Sequence, residues 1–384
     1  MATDKTNVFD YIAWRGEFSF EQSEFNEVDS LILSIFSYLD FSCVSDQEEL
    51  PFPDAVAKIC AMPDEKKYDG PSIIMHSVVK LAQEAAESIR FRDMKVFNFV
   101  DITEEEREIQ FAAVSFLLPD QTIFASFRGT DNKLVGWKED LNMSFINGVP
   151  SQLEATKYVT ELLGNTSLPM RLGGHSKGGN LAIWAGAHQE SALKSRIIRI
   201  YSNDGPGFSE EFLHSALYRE TRSIISSFVP ESSIVGVLME HDHYTTIMSK
   251  NATVLQHDPF SWLVLGSHFR YDENRTLSGM QFEKIINSWI RSMSAEEREQ
   301  FITSFYDILI ASEAKTIDDI DKNKLRSLFM MSKSFRDMGF KKQVQLLHSL
   351  SKVIFNRDLL DIGNPLRMLS SRLGDSNLFL FNDF

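Results

Sequence analysis

Leu168-Pro169-Met170-Arg171-Leu172-Gly173-Gly174-His175-Ser176-Lys177-Gly178-Gly179-Asn180-Leu181-Ala182-Ile183-Trp184-Ala185-Gly186-Ala187 passes from a short apolar segment, through a cluster of glycines, into a run of small apolar residues. The first segment fits a strand over Leu168–Leu172, and the last fits a helix over 179–189. Between them, Gly174-His175-Ser176-Lys177-Gly178 matches G-x-S-x-G, a pattern that carries meaning only in a strand–turn–helix setting. A serine at such a turn sits in strained backbone. A Cβ two positions away on either side would strike the neighbouring strand and helix, which is why glycines stand there. The turn lifts Oγ above the sheet, and the helix N-terminus points free amides at the same place.

Outward from this stretch the same rhythm repeats. Residues 108–117 and 121–128 are apolar, β-rich runs separated by Pro119-Asp120, a hairpin signal. A helix over 151–164, a strand over Arg196–Tyr201, a helix over 208–219 and a β-branched run over 223–229 follow. Strands alternating with helices imply parallel pairing through crossover helices. The expected architecture is an α/β-hydrolase fold, a mainly parallel sheet flanked by helices, with helical additions at both ends. Residues 1–100 form a helical region packed on the core, 101–275 the core itself and 276–384 a C-terminal helical subdomain. In the first region Phe25-Asn26-Glu27-Val28-Asp29 opens a helix with an acidic first turn, and 72–92 is a further helix. In the last, Ser294-Ala295-Glu296-Glu297 is a capping box, with amphipathic runs over 316–334 and 340–355.

The 384 residues are 43% apolar and 24% charged, enough for a sizeable core, and the net charge is −15. An acidic surface repels phosphate backbones, so nucleic acid is excluded as a partner. Cys43 and Cys60 lie in apolar company and are expected as buried thiols, with no disulfide framework and no zinc site. No signal-peptide pattern and no membrane-length apolar run occurs, which points to a cytoplasmic protein without an integral membrane segment.

Upstream, Phe127-Arg128-Gly129-Thr130 is followed by Trp137 and Asp140-Leu141. With Gly174-His175-Ser176-Lys177-Gly178 the chain resembles the lipase class 3 group, whose hallmarks are F-R-G-[ST], W-x-x-D-[LF] and G-H-S-x-G in that order. The start, Asp10-Tyr11 with Trp14-Arg15-Gly16 and then Phe25 to Asp29, is similar to a bacterial branch of that superfamily, DUF2974 or Mbeg1-like. The resemblance spans roughly residues 7–270. It implies an oxyanion hole built from the backbone N–H of Thr130, to which its hydroxyl could add, and the backbone N–H of Lys177. Arg128 is expected to tie this loop to a carboxylate such as Asp140.

In this fold the nucleophile is followed along the chain by the acid and then the histidine. That order removes His76, His175 and His188. His214 falls in a predicted helix and His348 in the C-terminal helices. Among His241, His243, His257 and His268, His257 is favoured, because Gln256-His257-Asp258-Pro259 follows an apolar run and stands where a loop leaves a strand's carboxyl end. The resemblance implies a Q-H-D-P-like segment at this place. Asp204, in Asn203-Asp204-Gly205-Pro206, is the favoured acid. Class 3 lipases place theirs one strand later, where Glu231 is the nearest carboxylate, so Glu231 stays open as the alternative.

Ser176, Asp204 and His257 together imply acyl transfer to water through an acyl-enzyme, on a small-molecule or lipid acyl ester, without cofactor or metal. An acyltransferase or thioesterase could use the same residues, and a non-catalytic binding protein could retain the fold. Neither the natural substrate nor the oligomeric state is legible in the sequence.

Overall fold

The computed structural model describes residues 6–44, 49–70, 77–131, 133–231, 235–251, 253–272, 292–311, 324–339 and 342–346, with residues 75, 233 and 288. Its centre is an eight-stranded sheet in which each strand lies beside its neighbours in sequence. β1 (Leu50–Pro51), β2 (Lys95–Glu104), β3 (Ile109–Leu117) and β4 (Ile123–Phe127) pair antiparallel. From β4 onward, β5 (Met170–His175), β6 (Ile197–Asn203), β7 (Ile225–Pro230) and β8 (Thr245–Ile247) pair parallel. The rhythm read from residues 108 to 229 is therefore the sheet's parallel half and its entry hairpin. A small ribbon, β9 (Val264–Leu265) with β10 (His268–Phe269), follows.

Sequential strand order has a geometric consequence. Right-handed crossovers that always step in the same direction leave their helices on one face of the sheet. That face carries α5 (Leu134–Asn142), α6 (Pro150–Asn165), α7 (Lys177–Ala187), α8 (Ser191–Lys194), α9 (Glu210–Leu213) and α10 (Ala216–Thr221). The other face must be covered by something else, and the N-terminal helices cover it. These are Val8–Arg15, Glu27–Phe36, Phe52–Cys60 and Val78–Glu87, named here αN1 to αN4 in chain order. The two-residue period of a strand sorts the apolar side chains between the layers. On β3, Ile109, Phe111 and Ala113 join the crossover helices, whereas Val114 and Phe116 join the N-terminal ones.

Helix αN2 lies across the sheet and is buried from Val28 to Phe36. Its polar side chains are satisfied locally: Ser30, Ser34 and Ser37 donate to carbonyls three or four residues back. Asn26 caps the helix, and Asp29 in its first turn accepts both Nε and Nη2 of Arg90 at 2.6 and 2.5 Å. Tyr11 of αN1 donates to the same carboxylate at 2.8 Å. Tyr11 and Asp29, one from each signature segment, thus form a buried polar joint with Arg90.

Several expectations change. The N-terminal region is not purely helical, since it supplies β1, and the boundary at residue 100 falls inside β2. Cys43 and Cys60 are free but only half-buried. The single helix expected over 208–219 is broken into α9 and α10, because Ser215 starts a new helix by accepting from Tyr218 N at 3.2 Å. After the ribbon come α11 (Ala295–Ile310), with the Ser294–Glu297 capping box in place, and α12 (Lys324–Asp337). The start of the 72–92 helix at residues 72–74 and 76, residues 316–323 of the 316–334 run, and residues 340, 341 and 347–355 of the 340–355 run lie outside the described residues. Among the described residues no helix is long and apolar enough to cross a membrane.

Candidate active site

Every site residue expected from the sequence stands at the carboxyl edge of the parallel strands. Thr130 follows β4, Ser176 follows β5, Asp204 follows β6 and His257 closes a short helical turn after β8. This is where open α/β sheets form their crevices.

Ser176 has φ 59° and ψ −135°, a backbone state that non-glycine residues adopt only under constraint. The constraint is close packing on both sides. A Cβ on Gly174 would lie 2.3 Å from the carbonyl carbon of Gly178, and one on Gly178 would lie 2.0 Å from Phe127 O. The serine N–H donates to Asn203 O at 3.0 Å, which fixes the bend against β6. Among the described residues Oγ makes no hydrogen bond, and it lines a cavity of about 190 Å³ together with His257, Thr130 and Asp140.

His257 Nδ1 lies 2.7 Å from Asp204 Oδ2. The carboxylate can only accept, so Nδ1 is the donor, and in the neutral ring the lone pair is then on Nε2. Asp204 is wholly buried and itself left-handed at φ 55°. Its backbone N–H donates to Phe228 O at 2.8 Å, and Ser233 Oγ donates to Oδ2 at 2.7 Å. Glu231 lies elsewhere: Gln256 Nε2 donates to it at 3.4 Å, and burial together with the Asp272 carboxyl pushes its pKa up. His243 pairs with Asp242 on the surface, and His241 packs edge-on against Tyr244.

The backbone N–H groups of Thr130 and Lys177 donate to nothing among the described residues. Thr130 Oγ, by contrast, is committed: it donates to Asp140. Burial pushes the Asp140 carboxyl up to about 6, against the opposing pull of Lys177. The Lys177 ammonium turns away from the cavity, to Gln110 O at 2.7 Å, Gln110 Oε1 at 2.9 Å and Glu139 Oε2 at 3.1 Å. Arg128 does not take Asp140, the partner suggested by the sequence. It forms a fork with Asp101 of β2 at 2.9 and 3.0 Å, reaching across β3, and Asp140 is held by Thr130 and Lys177 instead.

Four further residues shape the site without an obvious sequence signal. His175 is buried, and its Nε2 lies 2.9 Å from His257 O. Since a carbonyl only accepts, Nε2 is protonated; Nδ1 is then the acceptor for Tyr38 OH at 3.3 Å. Burial holds His175 far below the usual imidazole pKa, so it stays neutral. Its ring packs against that of His257, tilted by 32° with centroids 4.6 Å apart. Asn180 donates to Pro206 O and Gly207 O at 3.2 and 2.8 Å, tying the Asp204 loop to α7. Ser233 is the fourth. Chain order removes His175 as a base, yet it braces the loop that carries His257.

A family model described as Mbeg1-like matches residues 85–307, more than half of the chain. The chain belongs to the Mbeg1-like family. In this Mbeg1-like chain the match begins within αN4 and ends within α11, so it takes in the parallel sheet, the turn at Ser176 and the helix that closes the cavity. No curated protein matches the chain. Among solved structures, a Rhizomucor miehei lipase in its propeptide complex is similar at 18% identity and TM-score 0.34, over 51% of this chain and 77% of that one. A lipase from Rhizopus microsporus var. chinensis is similar at 16% identity and TM-score 0.34, over 59% and 92%. Lip2 lipase from Yarrowia lipolytica is similar at 11% identity and TM-score 0.35, over 65% and 88%. The α/β-hydrolase fold of this Mbeg1-like chain rests on its own sheet order and the bend at Ser176.

Proposed function

We propose that this chain is a serine hydrolase that cleaves a carboxylic ester through an acyl-enzyme on Ser176. The observation that carries this reading is the left-handed turn at Ser176, in one cavity with a histidine whose Nδ1 is bonded to a buried carboxylate. His257 Nε2 takes the proton from Ser176 Oγ and returns it to the departing alcohol. Asp204 fixes the tautomer and balances the imidazolium charge. The two uncommitted amides of Thr130 and Lys177 receive the oxyanion, and Asp140 holds the Thr130 side chain so that its amide is aimed beforehand. Water then attacks the acyl carbon, with His257 as base, and frees Ser176. The apolar walls of the cavity suit the acyl group of an ester.

The test is covalent labelling with a fluorophosphonate, alongside turnover of p-nitrophenyl esters. Wild type should be labelled and active. Ser176→Ala should lose labelling and about 10⁴–10⁶-fold in kcat. Equal labelling or equal turnover in the two would end the proposal.

A further inference from the structure

The cavity around Ser176 is apolar on most sides, walled by Trp137 and Leu141 of α5, Leu238, Met239, and Phe301 and Ile302 of α11. Its charged groups are mostly spoken for. Lys177 is held by Gln110 and Glu139, Asp140 by Thr130 and Lys177, and His257 by Asp204. Arg298 is different. It stands in the second turn of α11, half-buried, and lines the same cavity. Among the described residues its guanidinium makes one hydrogen bond, from Nη1 to Ser144 O, while Nε is buried and donates to nothing. It forms no ion pair among the described residues, although the chain has 54 acidic and 39 basic residues. Burial alone acts on its ionisation, and an arginine stays charged under that pressure.

A cation placed in an apolar cavity without a counter-ion is costly, and the cost is offset only when something supplies the anion. The chain does not. We infer that Arg298 is a specificity-determining residue that binds a negatively charged group of the substrate, so that the ester hydrolysed carries a phosphate or a carboxylate. The planar fork of a guanidinium matches both groups. This inference rests on the hydrolase reading: the anion anchors the substrate in the cavity while Ser176 attacks the acyl carbon, and it takes no part in the bond changes.

The experiment compares matched pairs on the full chain. Hexanoyl glycerol is set against hexanoyl glycerol phosphate, and p-nitrophenyl hexanoate against the p-nitrophenyl monoester of adipic acid. Wild type should favour the charged member of a pair by about tenfold to a hundredfold in kcat/KM, the worth of one charge-assisted hydrogen bond. The pair that shows the preference names the anion. Arg298→Gln should bring the ratio close to one, chiefly through KM, and Arg298→Lys should keep part of it. The ratio is read within each variant, so a general loss of folded enzyme does not alter it. A wild-type ratio at or below one for both pairs, or an unchanged ratio in Arg298→Gln, overturns the inference and leaves the hydrolase reading standing. Failure of wild type on every ester, with no labelling of Ser176, overturns both.

Discussion

Asp204 is the residue at which the acid assignment is most open to test. Its carboxylate accepts from His257 Nδ1 at 2.7 Å and from Ser233 at 2.7 Å. Asn at this position keeps the shape but can present an N–H to Nδ1, which favours the imidazole tautomer with its proton on Nε2. That tautomer cannot accept the Ser176 proton. Asp204→Asn should therefore lower kcat on p-nitrophenyl esters by about 10³–10⁴-fold. Glu231→Gln should stay close to wild type, because Glu231 engages Gln256 and Asp272 instead. A larger loss in Glu231→Gln than in Asp204→Asn would reverse the assignment. Thr130 gives a second prediction at this scale. Its hydroxyl is spent on Asp140, so its value to the oxyanion is indirect, through the aim of its own amide. Thr130→Val should lower kcat by about tenfold to a hundredfold, while Thr130→Ser, which keeps the bond, should not. If Thr130→Val and Thr130→Ser have the same kcat, Asp140 does not position the loop.

The elements differ in how openly the sequence declares them, and the difference is physical. The β5–α7 unit is legible because its turn demands glycines at fixed places and its flanking residues have one period each. β2 is not. Asn98 sits at φ 54° and the pairing with β3 shifts between Phe97 and Val100, so the alternation of Lys95–Glu104 changes phase midway and no single period describes it. Asp204 is legible because it stands where β6 ends in turn-forming residues; His257 is legible from its place in chain order and its Gln256–Pro259 segment, although the apolar run before it is a short helical turn rather than a strand. Tyr38, Asn180 and Ser233 are not, since their roles arise from contacts with residues far away in sequence; the Tyr38–His175 pair is 137 residues apart. The joint that docks αN2 has a recognisable signature, yet its partner Arg90 lies 61 residues beyond Asp29. Both side chains of this pair are wholly buried, so removing one leaves the other charged and desolvated. Arg90→Met should cost about 3–5 kcal/mol in urea unfolding. Asp29→Asn added to it should recover part of that loss, because no unpaired charge remains. If Arg90→Met costs no more than an exposed ion pair, about 1 kcal/mol, the joint does not hold αN2 on the sheet.

At the scale of the whole molecule, two groups beside the site couple folding to pH with opposite signs. Burial holds His175 neutral, well below its ordinary pKa. In the unfolded chain it titrates near 6.5, so below that pH the unfolded state binds the extra proton. Its contribution to stability is present above about 6.5 and is lost as pH falls. Asp140 behaves in the reverse way. Its carboxyl is raised to about 6 by burial, whereas in the unfolded chain it titrates near 3.9. Between those values the folded state binds the extra proton, so its contribution is present at low pH and is lost as pH rises towards 6. Each group imposes a slope of up to about 1.4 kcal/mol per pH unit, and over pH 4–6 the slopes oppose one another. His175→Asn, whose amide can still donate to His257 O, removes the first slope. Its stability relative to wild type should rise as pH falls below 6.5. Asp140→Asn removes the second, and its stability relative to wild type should rise as pH climbs from 4 to 6. Urea midpoints across pH 4–7 measure both differences, and the other carboxylates cancel because they are common to all three proteins. Parallel curves for wild type and both variants would mean that neither group carries the burden that its burial implies.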